Sequence, residues 1–433
     1  MHTLISFTTE PHFFIAAKKR LDTLMQGKNI VFIEPYGAAL SLLKHGVRKG
    51  YNIIILTADQ DLRVVPSAIL MLAALAIKID TTDEVAILQL AEILQKIINI
   101  NAVIPGFEYF VPMTARLNDY FGLPSMRYAD ALKVRRKDLM RVSLQKAQLF
   151  LPRFSIVNSI AQVQQAITNM MFPLVCKPID AAGSVNVRKA NNHAELMISV
   201  KRILDGNDIL WGHRLSTMAL IEEYISGKEF SLEGVVHNHE VTHFSLTEKF
   251  VADQTEFIEI GHIVNVPVPA QLKSILESYI NRVISVLKIN NCPFHAEVRV
   301  QENGQPVLME IAARLAGDSI GELICLSGAE NYFDCIYAAY LQEGRAEKSL
   351  VHSVAGIRFF YRPTICSYSS VNGIDKIQDA SIKEILLYYT PNQVIPAFPK
   401  PLRRLGHVIV KHHDYAELVK TLDIIDTKMV FLS

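Results

Sequence analysis

The chain has almost no net charge. Its 44 lysines and arginines are matched by 43 aspartates and glutamates, leaving a formal +1. A polyanionic partner calls for a one-signed surface, so neither nucleic acid nor an anionic membrane is an expected partner. Cysteine is sparse too. Cys176, Cys292, Cys325, Cys335 and Cys366 are scattered, with no C-x-x-C pair and no finger spacing. That excludes a disulfide framework and a structural zinc site, and points to reduced core residues in a cytoplasmic protein. No apolar run is long enough to span a bilayer. The strongest, Ala68–Ile77, extendable to Val64, runs into Lys78 and Asp80 and reads as a buried helix. His2 to Phe14 is neither basic nor continuously apolar, so a signal peptide is not expected. A G-x-G-x-x-G fingerprint, an internal repeat and a low-complexity linker are also missing, so the domains should pack closely.

What is present is 433 residues, half of them hydrophobic, enough for two or three domains with their own cores. Residues 1–27 read as a short amphipathic lead-in. Asn29–Ile33 is a buried strand, Glu34–Gly37 a turn, and Ala38–Lys49 a helix with Leu42, Leu43 and Val47 on one face. After Gly50 a second strand follows at Tyr51–Leu56. This βαβ unit predicts a parallel sheet covered by helices. The lone glycine after the first strand gives the region a scaffold role. Glu84–Ile98 is a helix and Ala102–Pro105 a strand; Glu108 and Tyr109 lie just past that strand's carboxyl end. Open α/β sheets bind ligands there; a carboxylate favoured at a helix N-terminus is the other reading. Thr114–Phe121 is helical, closed by Gly122 and Pro124.

Val134–Ala147, VRRKDLMRVSLQKA, reads as a basic helix with a solvated face. A helix around Gln162–Met170 leads to the strand Pro173–Pro178, which carries Lys177. The small-residue loop Asp180–Ser184 follows, and the strand resumes at Val185–Lys189. A lysine before a glycine loop suits a phosphate clamp, because the ammonium neutralises charge and backbone N–H groups close over the oxygens; an ordinary hairpin is the alternative. Ala219–Ile225 is a strand leading into SGKEFSLEG. His237, His239 and His243 alternate on a neighbouring strand and read as solvated rather than metal-bound, lacking an acidic or cysteine partner at ligand spacing. Glu259 and His262 lie in a strand-to-loop passage, and Gln271–Leu287 is a helix. Gly321–Leu341 is largely helical. From about residue 346 a smaller strand-rich tail includes Gly356–Tyr361 and Arg404–Val410.

The stretch with the most chemistry is PFHAEVRVQENGQPVLMEIAARLAGD, from Pro293 to Asp318. It predicts a hairpin around Glu302-Asn303-Gly304-Gln305 whose register puts Glu297 and Glu310 on one face. Two adjacent carboxylates repel unless a cation sits between them. Mg²⁺ suits such a pair, because it takes hard oxygen ligands and keeps positions for substrate phosphates. Arg314 and Gly317 follow. A hairpin with charges on a solvated face is the alternative reading.

In order along the chain, IPGFEYFVP, RRKDLMR, VCKPIDAAGS, EEYISGKEFSLE, FIEIGH, PFHAEVRV, EIAARLAGD and RLGHVIV together resemble the ATP-grasp superfamily. The likeness is strongest to its carboxylate–amine ligases of the L-amino-acid ligase type, and it covers about Asn29 to Val410. It implies a fold of α/β and α+β class in four parts: a Rossmann-like pre-ATP-grasp domain (1–132), a lid and small subdomain (133–225), a core sheet with a metal site (226–345) and a C-terminal α+β subdomain (346–433). It implies ATP-phosphate roles for Lys137 and Lys177, a phosphate loop at Gly183 and Ser184, and an adenine hinge at Glu222, Glu223, Tyr224 and Ile225. Glu229 would face the ribose. Glu297 and Glu310 would bind Mg²⁺ (or Mn²⁺), Arg314 would stabilise the transferred phosphoryl group, and His295 would stand on the substrate side. Glu108, Glu259 and His262 would line an amino-acid pocket.

The implied activity is ATP-dependent amide formation between a small carboxylate and an amine through an acyl phosphate, with ADP and phosphate released. A homodimer is a family-level expectation. One departure stands out: many relatives carry a third metal ligand, usually Asn, two positions after the second Glu, where this chain has Ala312. Asp318 is the residue that would compensate. The alternatives are a biotin-carboxylase-like or purine-pathway ligase, or a nucleotide-binding protein without turnover.

Overall fold

In the computed structural model, residues 3–5, 14–17, 24, 26–253, 257–329, 331–344, 353–373, 379–396 and 403–432 are described. Most of the lead-in expected over 1–27 lies outside them, apart from two short strands. The first sheet contains β1 (Thr3–Ile5), β2 (Phe14–Ala17), β3 (Asn29–Ile33), β4 (Asn52–Thr57), β5 (Leu75–Lys78) and β6 (Ile100–Pro105), in the order β1-β2-β5-β4-β3-β6. The βαβ expectation holds: β3 is parallel to both β4 and β6. Alternating residues of β3 and β4 explain the two covering layers. Ile30, Phe32, Ile53 and Ile55 meet Leu42 and Leu43 of the helix Ala38–Arg48. Val31, Ile33, Ile54 and Leu56 meet Ile87, Leu90 and Leu94 of the helix Glu84–Ile97. A strand covered on both faces reads as a continuous apolar run.

That ambiguity explains one correction. The run Ala68–Ile77 is not a single buried helix. Only Ser67–Leu70 is helical, and Leu75–Lys78 pairs in parallel with β4. A continuous apolar run carries no period to separate helix from buried strand.

The second sheet has four antiparallel strands: β7 (Phe154–Val157), β8 (Leu174–Pro178), β9 (Arg188–Ala190) and, after the small hairpin β10 (Ile209–Leu210) and β11 (His213–Arg214), β12 (Ala219–Glu223). Its order is β7-β12-β8-β9, with the helix His193–Leu204 covering one face through Leu196, Val200 and Ile203. The strand expected to resume at Val185 begins instead at Arg188, because Ser184 and Asn186 take left-handed φ values of 55° and 57° and turn the chain. The helix expected around Gln162–Met170 spans only Val163–Ala166.

The third sheet is the largest, with eight strands. They are β13 (Lys228–His237), β14 (Glu240–Asp253), β15 (Ile258–Val264), β16 (Cys292–Val300), β17 (Pro306–Ala312), β18 (Val354–Tyr361) and, beyond β19 (Ser370–Asn372), β20 (Ile382–Leu387) and β21 (Arg404–His412). β19 pairs separately with β22 (Val430–Leu432). The order β17-β16-β13-β14-β15-β18-β21-β20 makes the strands of the C-terminal segment continuous with the hairpin sheet. One face is apolar. Phe294, Ala296 and Val298 are buried there, in one core with the helices Ala270–Leu287 and Tyr332–Leu341. The opposite face carries the charge. The expected histidine strand is a hairpin: His237 ends β13 buried, and Asn238 and His239 form the turn with φ of 51° and 68°.

Candidate active site

Register builds the site. Directly across the β16–β17 hairpin, Glu297 faces Glu310, and His295 faces Ala312. Opposed residues of an antiparallel pair share a face, so the two carboxylates stand side by side as the sequence indicated. A bulge between Glu297 and Val298 leaves Met309 as the extra residue. On β13 the rungs continue with Glu229 opposite Arg299, Ser231 opposite Glu297 and Glu233 opposite His295. On β14, Thr247 and Lys249 complete the row. A single polar stripe therefore crosses the sheet.

The second wall comes from the segment before β7. The predicted basic helix is two helices, Tyr128–Arg135 and Lys137–Lys146, broken at Arg136, whose ψ of 115° leaves the helical region. Three of its cations, Arg135, Lys137 and Arg141, are buried, while Lys146 stays exposed. Lys137 is buried and donates to the carbonyl of Ala181 at 2.7 Å and to Glu310 Oε1 at 3.0 Å. Arg141 is 0 % exposed; it donates to the carbonyl of Met309 at 2.9 Å and to Glu222. The other oxygen of Glu222 meets Lys177 Nζ at 2.6 Å. Burial alone would raise the Glu222 carboxyl, yet Arg141 and Lys177 hold it at about 2. Burial pulls Lys177 the other way, below the usual lysine range despite Glu222.

The side chain of Glu222 therefore anchors two cations, whereas the hinge expected at Glu222 to Ile225 is a matter of backbone groups. Two of those groups are engaged as well. The N–H of Glu223 donates to Arg153 at 3.0 Å and that of Tyr224 to Pro173 at 3.1 Å. Gly183 and Ser184 lie in the turn before β9, with φ of 66° and 55°. The adjoining Ala181 packs into the core of the N-terminal sheet.

From that N-terminal sheet, Glu108 opens a short 3₁₀ turn directly after β6. It is buried and accepts from Arg314 Nε at 2.7 Å. Burial would raise its carboxyl, but Arg314, Arg135 and Lys137 hold it below the usual range. Arg314 is fixed in turn by a bond to the carbonyl of Leu315 at 2.8 Å. Arg135 lies 4.4 Å over the ring of Tyr109.

Lys249 was not singled out from the sequence, although Ser245, Thr247 and Lys249 alternate on β14 as one face of a strand would. Its side chain is 2 % exposed and reaches three carboxylates: Glu259 at 2.6 Å, Glu297 at 2.9 Å and Glu229 at 3.1 Å. Burial opposes its charge, yet those three anions hold Lys249 well above the ordinary lysine range. Glu297 is also touched by His295 Nε2 at 3.2 Å, while His295 Nδ1 meets Glu233 at 2.8 Å. Burial would lower the imidazole, but the two carboxylates push it up to about 9. Arg299 holds Glu229 at 2.8–2.9 Å and donates to the carbonyl of Ile225 at 2.8 Å, so the ribose candidate and the end of the hinge are joined.

Glu259 and His262 lie within β15, not in a loop. His262 Nε2 sits 3.0 Å from Asp318 and 3.4 Å from Glu259. Glu259, His262 and Asp318 bring their ligand atoms within 4.8 Å of one another. That spacing suits a metal, but the carboxylates already have cations: Arg404 on Asp318 at 2.9 Å and Lys249 on Glu259. The pair Glu297 and Glu310 could also hold a cation, and it too is occupied by cationic side chains. It offers hard oxygens on one face, held by two lysines and a histidine that a divalent ion would displace. Ala312 brings no oxygen to the adjacent rung.

Comparison with known proteins bears on the fold and the family. Residues 170–322 match the ATP-grasp domain family. Dapdiamide A synthase of Enterobacter agglomerans is 27 % identical over 227 residues, 50 % of this chain and 51 % of that protein. Alanine–anticapsin ligase of Bacillus subtilis (strain 168) is 23 % identical over 235 residues, 50 % of this chain and 49 % of that protein. The chain thus spans about half the length of the curated relatives it matches. The L-amino acid ligase of Bacillus licheniformis superposes with a TM-score of 0.78 at 19 % identity, covering 94 % of this chain and 98 % of that one. Among the described residues no helix is long and apolar enough to cross a membrane. Residues 170–322 of this chain are an ATP-grasp domain, set within the fold of an L-amino acid ligase.

Proposed function

We propose that this chain is an ADP-forming ligase that joins a small carboxylate to an amine, both amino acids or close analogues, by way of an acyl phosphate. The observation that carries this reading is the cross-strand pair Glu297–Glu310 ringed by Lys137, Lys249 and His295, with Lys177 and the Glu108–Arg314 pair on the flanking walls. Attack of a carboxylate on the γ-phosphate of ATP brings two anions together, so the site has to supply positive charge. Glu297 and Glu310 would hold Mg²⁺, or Mn²⁺, which when bound neutralises phosphate oxygens. Lys137 and Lys177 add ammonium groups from the two other walls. In this reading each leaves a carboxylate, Glu310 or Glu222, for a phosphate oxygen.

Arg314 is the guanidinium at the reacting end. Glu108 keeps it oriented, and both are held within a charge-rich, largely buried environment where electrostatic stabilisation exceeds that in water. His295 is a positioning residue for Glu297, fixed from behind by the fully buried Glu233. Glu229 and Arg299, with the backbone at Ile225, form the end of the site that would take the nucleoside. The turn at Gly183 and Ser184 would close over the phosphates and keep water from the acyl phosphate. Glu259 and His262 would line the amino-acid side.

The chemistry then balances. A carboxylate oxygen bonds to phosphorus and ADP leaves. The amine attacks the acyl carbon, inorganic phosphate leaves, and an amide remains. The test is phosphate release from Mg-ATP across the twenty amino acids, singly and in pairs, with mass detection. Release that needs particular pairs, with a product one water lighter than their sum, supports the reading. AMP as the nucleotide product overturns it.

A further inference from the structure

Arg404 opens β21, far along the chain from the hairpin, yet its guanidinium reaches the amino-acid side of the site. Two groups other than its counter-ion hold it. Nε and one terminal nitrogen donate to the backbone carbonyl of Glu259 at 3.0 and 2.7 Å. The ring of Phe359 lies 4.0 Å beneath the guanidinium. The third nitrogen alone faces both oxygens of Asp318, each at 2.9 Å. A backbone carbonyl and an aromatic face do not move when a ligand arrives, so this guanidinium keeps its place and plane whether or not Asp318 stays.

Among the described residues, Asp318 is held by side chains alone, Arg404 and His262 Nε2 at 3.0 Å. It belongs to a loop in which Asp318 and Ser319 both have left-handed φ, 53° and 59°, four residues after Arg314. Its side chain is 27 % exposed, against 12 % for Arg404. An arginine fixed by a backbone carbonyl and a ring, with a partly exposed carboxylate held only by side chains, is arranged for exchange: an incoming carboxylate takes the guanidinium in place of Asp318. The place is right for the second substrate. Glu259 links Arg404 to Lys249, and Lys249 links directly to Glu297 of the cation pair.

We infer that Arg404 reads the free α-carboxylate of the amine substrate, with Asp318 as its placeholder in the unliganded protein. The inference rests on the ligase reading and goes beyond it. What it adds is the residue that reads the nucleophile's carboxyl group and the requirement that this group be free. Arginine suits this because two of its nitrogens can stay on the Glu259 carbonyl while the third makes a charge-assisted bond to the carboxylate.

The experiment compares each L-amino acid with its C-terminal amide as the amine, at a fixed acyl donor, by ADP release and product mass. The wild type is expected to favour free acids over amides in kcat/KM by about 10- to 100-fold, the worth of a charge-assisted bond. Arg404→Gln should bring that ratio close to one, with the loss in KM for the amine, and Arg404→Lys should restore part of it. Amides used as well as acids by the wild type overturn the inference and leave the ligase reading standing. So does an Arg404→Gln enzyme that keeps the preference. The wild-type comparison decides even if a variant does not fold. Failure of every pair to release ADP removes the ligase reading, and this inference with it.

Discussion

Replacing Glu222 by Gln should expose how the second sheet carries its cations. The substitution keeps the size of the side chain and removes only the charge. Glu222 is 3 % exposed, with one oxygen on Arg141 and the other on Lys177. Two routes give a magnitude. Breaking a buried ion pair by deleting one partner costs about 3–5 kcal/mol, because the other charge stays behind unpaired. Independently, a carboxyl held at about 2 against 4.5 in the open chain contributes roughly 3 kcal/mol at neutral pH. Lys177 moves against this: burial lowers it even beside Glu222. The triad as a whole therefore stabilises less than Glu222 gains, but removing Glu222 alone still leaves two buried cations.

The sign follows from the direction of the shift. A depressed carboxyl contributes its stability above its unfolded value and loses it as pH falls from 4.5 towards 2. Thermal unfolding of Glu222→Gln should sit on the order of 3–6 °C below wild type at pH 7 for a chain of 433 residues. The gap should shrink by about half near pH 3. A variant within about 2 °C of wild type at pH 7, or a gap that widens in acid, would refute the argument.

Four further outcomes are expected. His295, pushed up to about 9 by Glu233 and Glu297, contributes stability in full below its ordinary 6.5 and loses it as pH rises through 9; melting curves from pH 6 to 10 should show a slope that His295→Gln lacks. Lys249→Met leaves Glu229, Glu259 and Glu297 facing one another around a buried vacancy of charge, and should lower stability by about 3–5 kcal/mol in denaturant titrations. Added Mg²⁺ should recover part of that loss. Glu310→Gln frees Lys137 and halves the cation site, so the Mg²⁺ concentration needed for half-maximal turnover should rise at least about tenfold.

The sequence told much about the hairpin because strand geometry has a period of two. Alternation placed the charged residues on the two arms of one hairpin, but the bulge at Met309 is what brings Glu310 opposite Glu297, since unbroken alternation from the turn would put Met309 there. The βαβ start was legible for a similar reason, through Leu42 and Leu43 at helical spacing. What local pattern does not encode is who meets whom across the chain. Arg141 looks like one more exposed charge on a basic helix until β12 brings Glu222 beside it, 81 positions away. Lys249 is unremarkable until three carboxylates from β13, β15 and β16 converge on it. Arg404 lies 86 positions beyond Asp318. The apolar run Ala68–Ile77 failed for the opposite reason: without polar interruptions it has no period to read.

The central claim is that a carboxylate oxygen becomes bonded to the γ-phosphorus before the amide forms. Supplying the acyl donor with ¹⁸O in its carboxylate tests this directly, with the full-length protein, Mg-ATP and the amine. The account predicts one ¹⁸O atom in the inorganic phosphate for each amide made, with ADP as the nucleotide product. Unlabelled phosphate alongside amide, or label appearing in AMP, would contradict it.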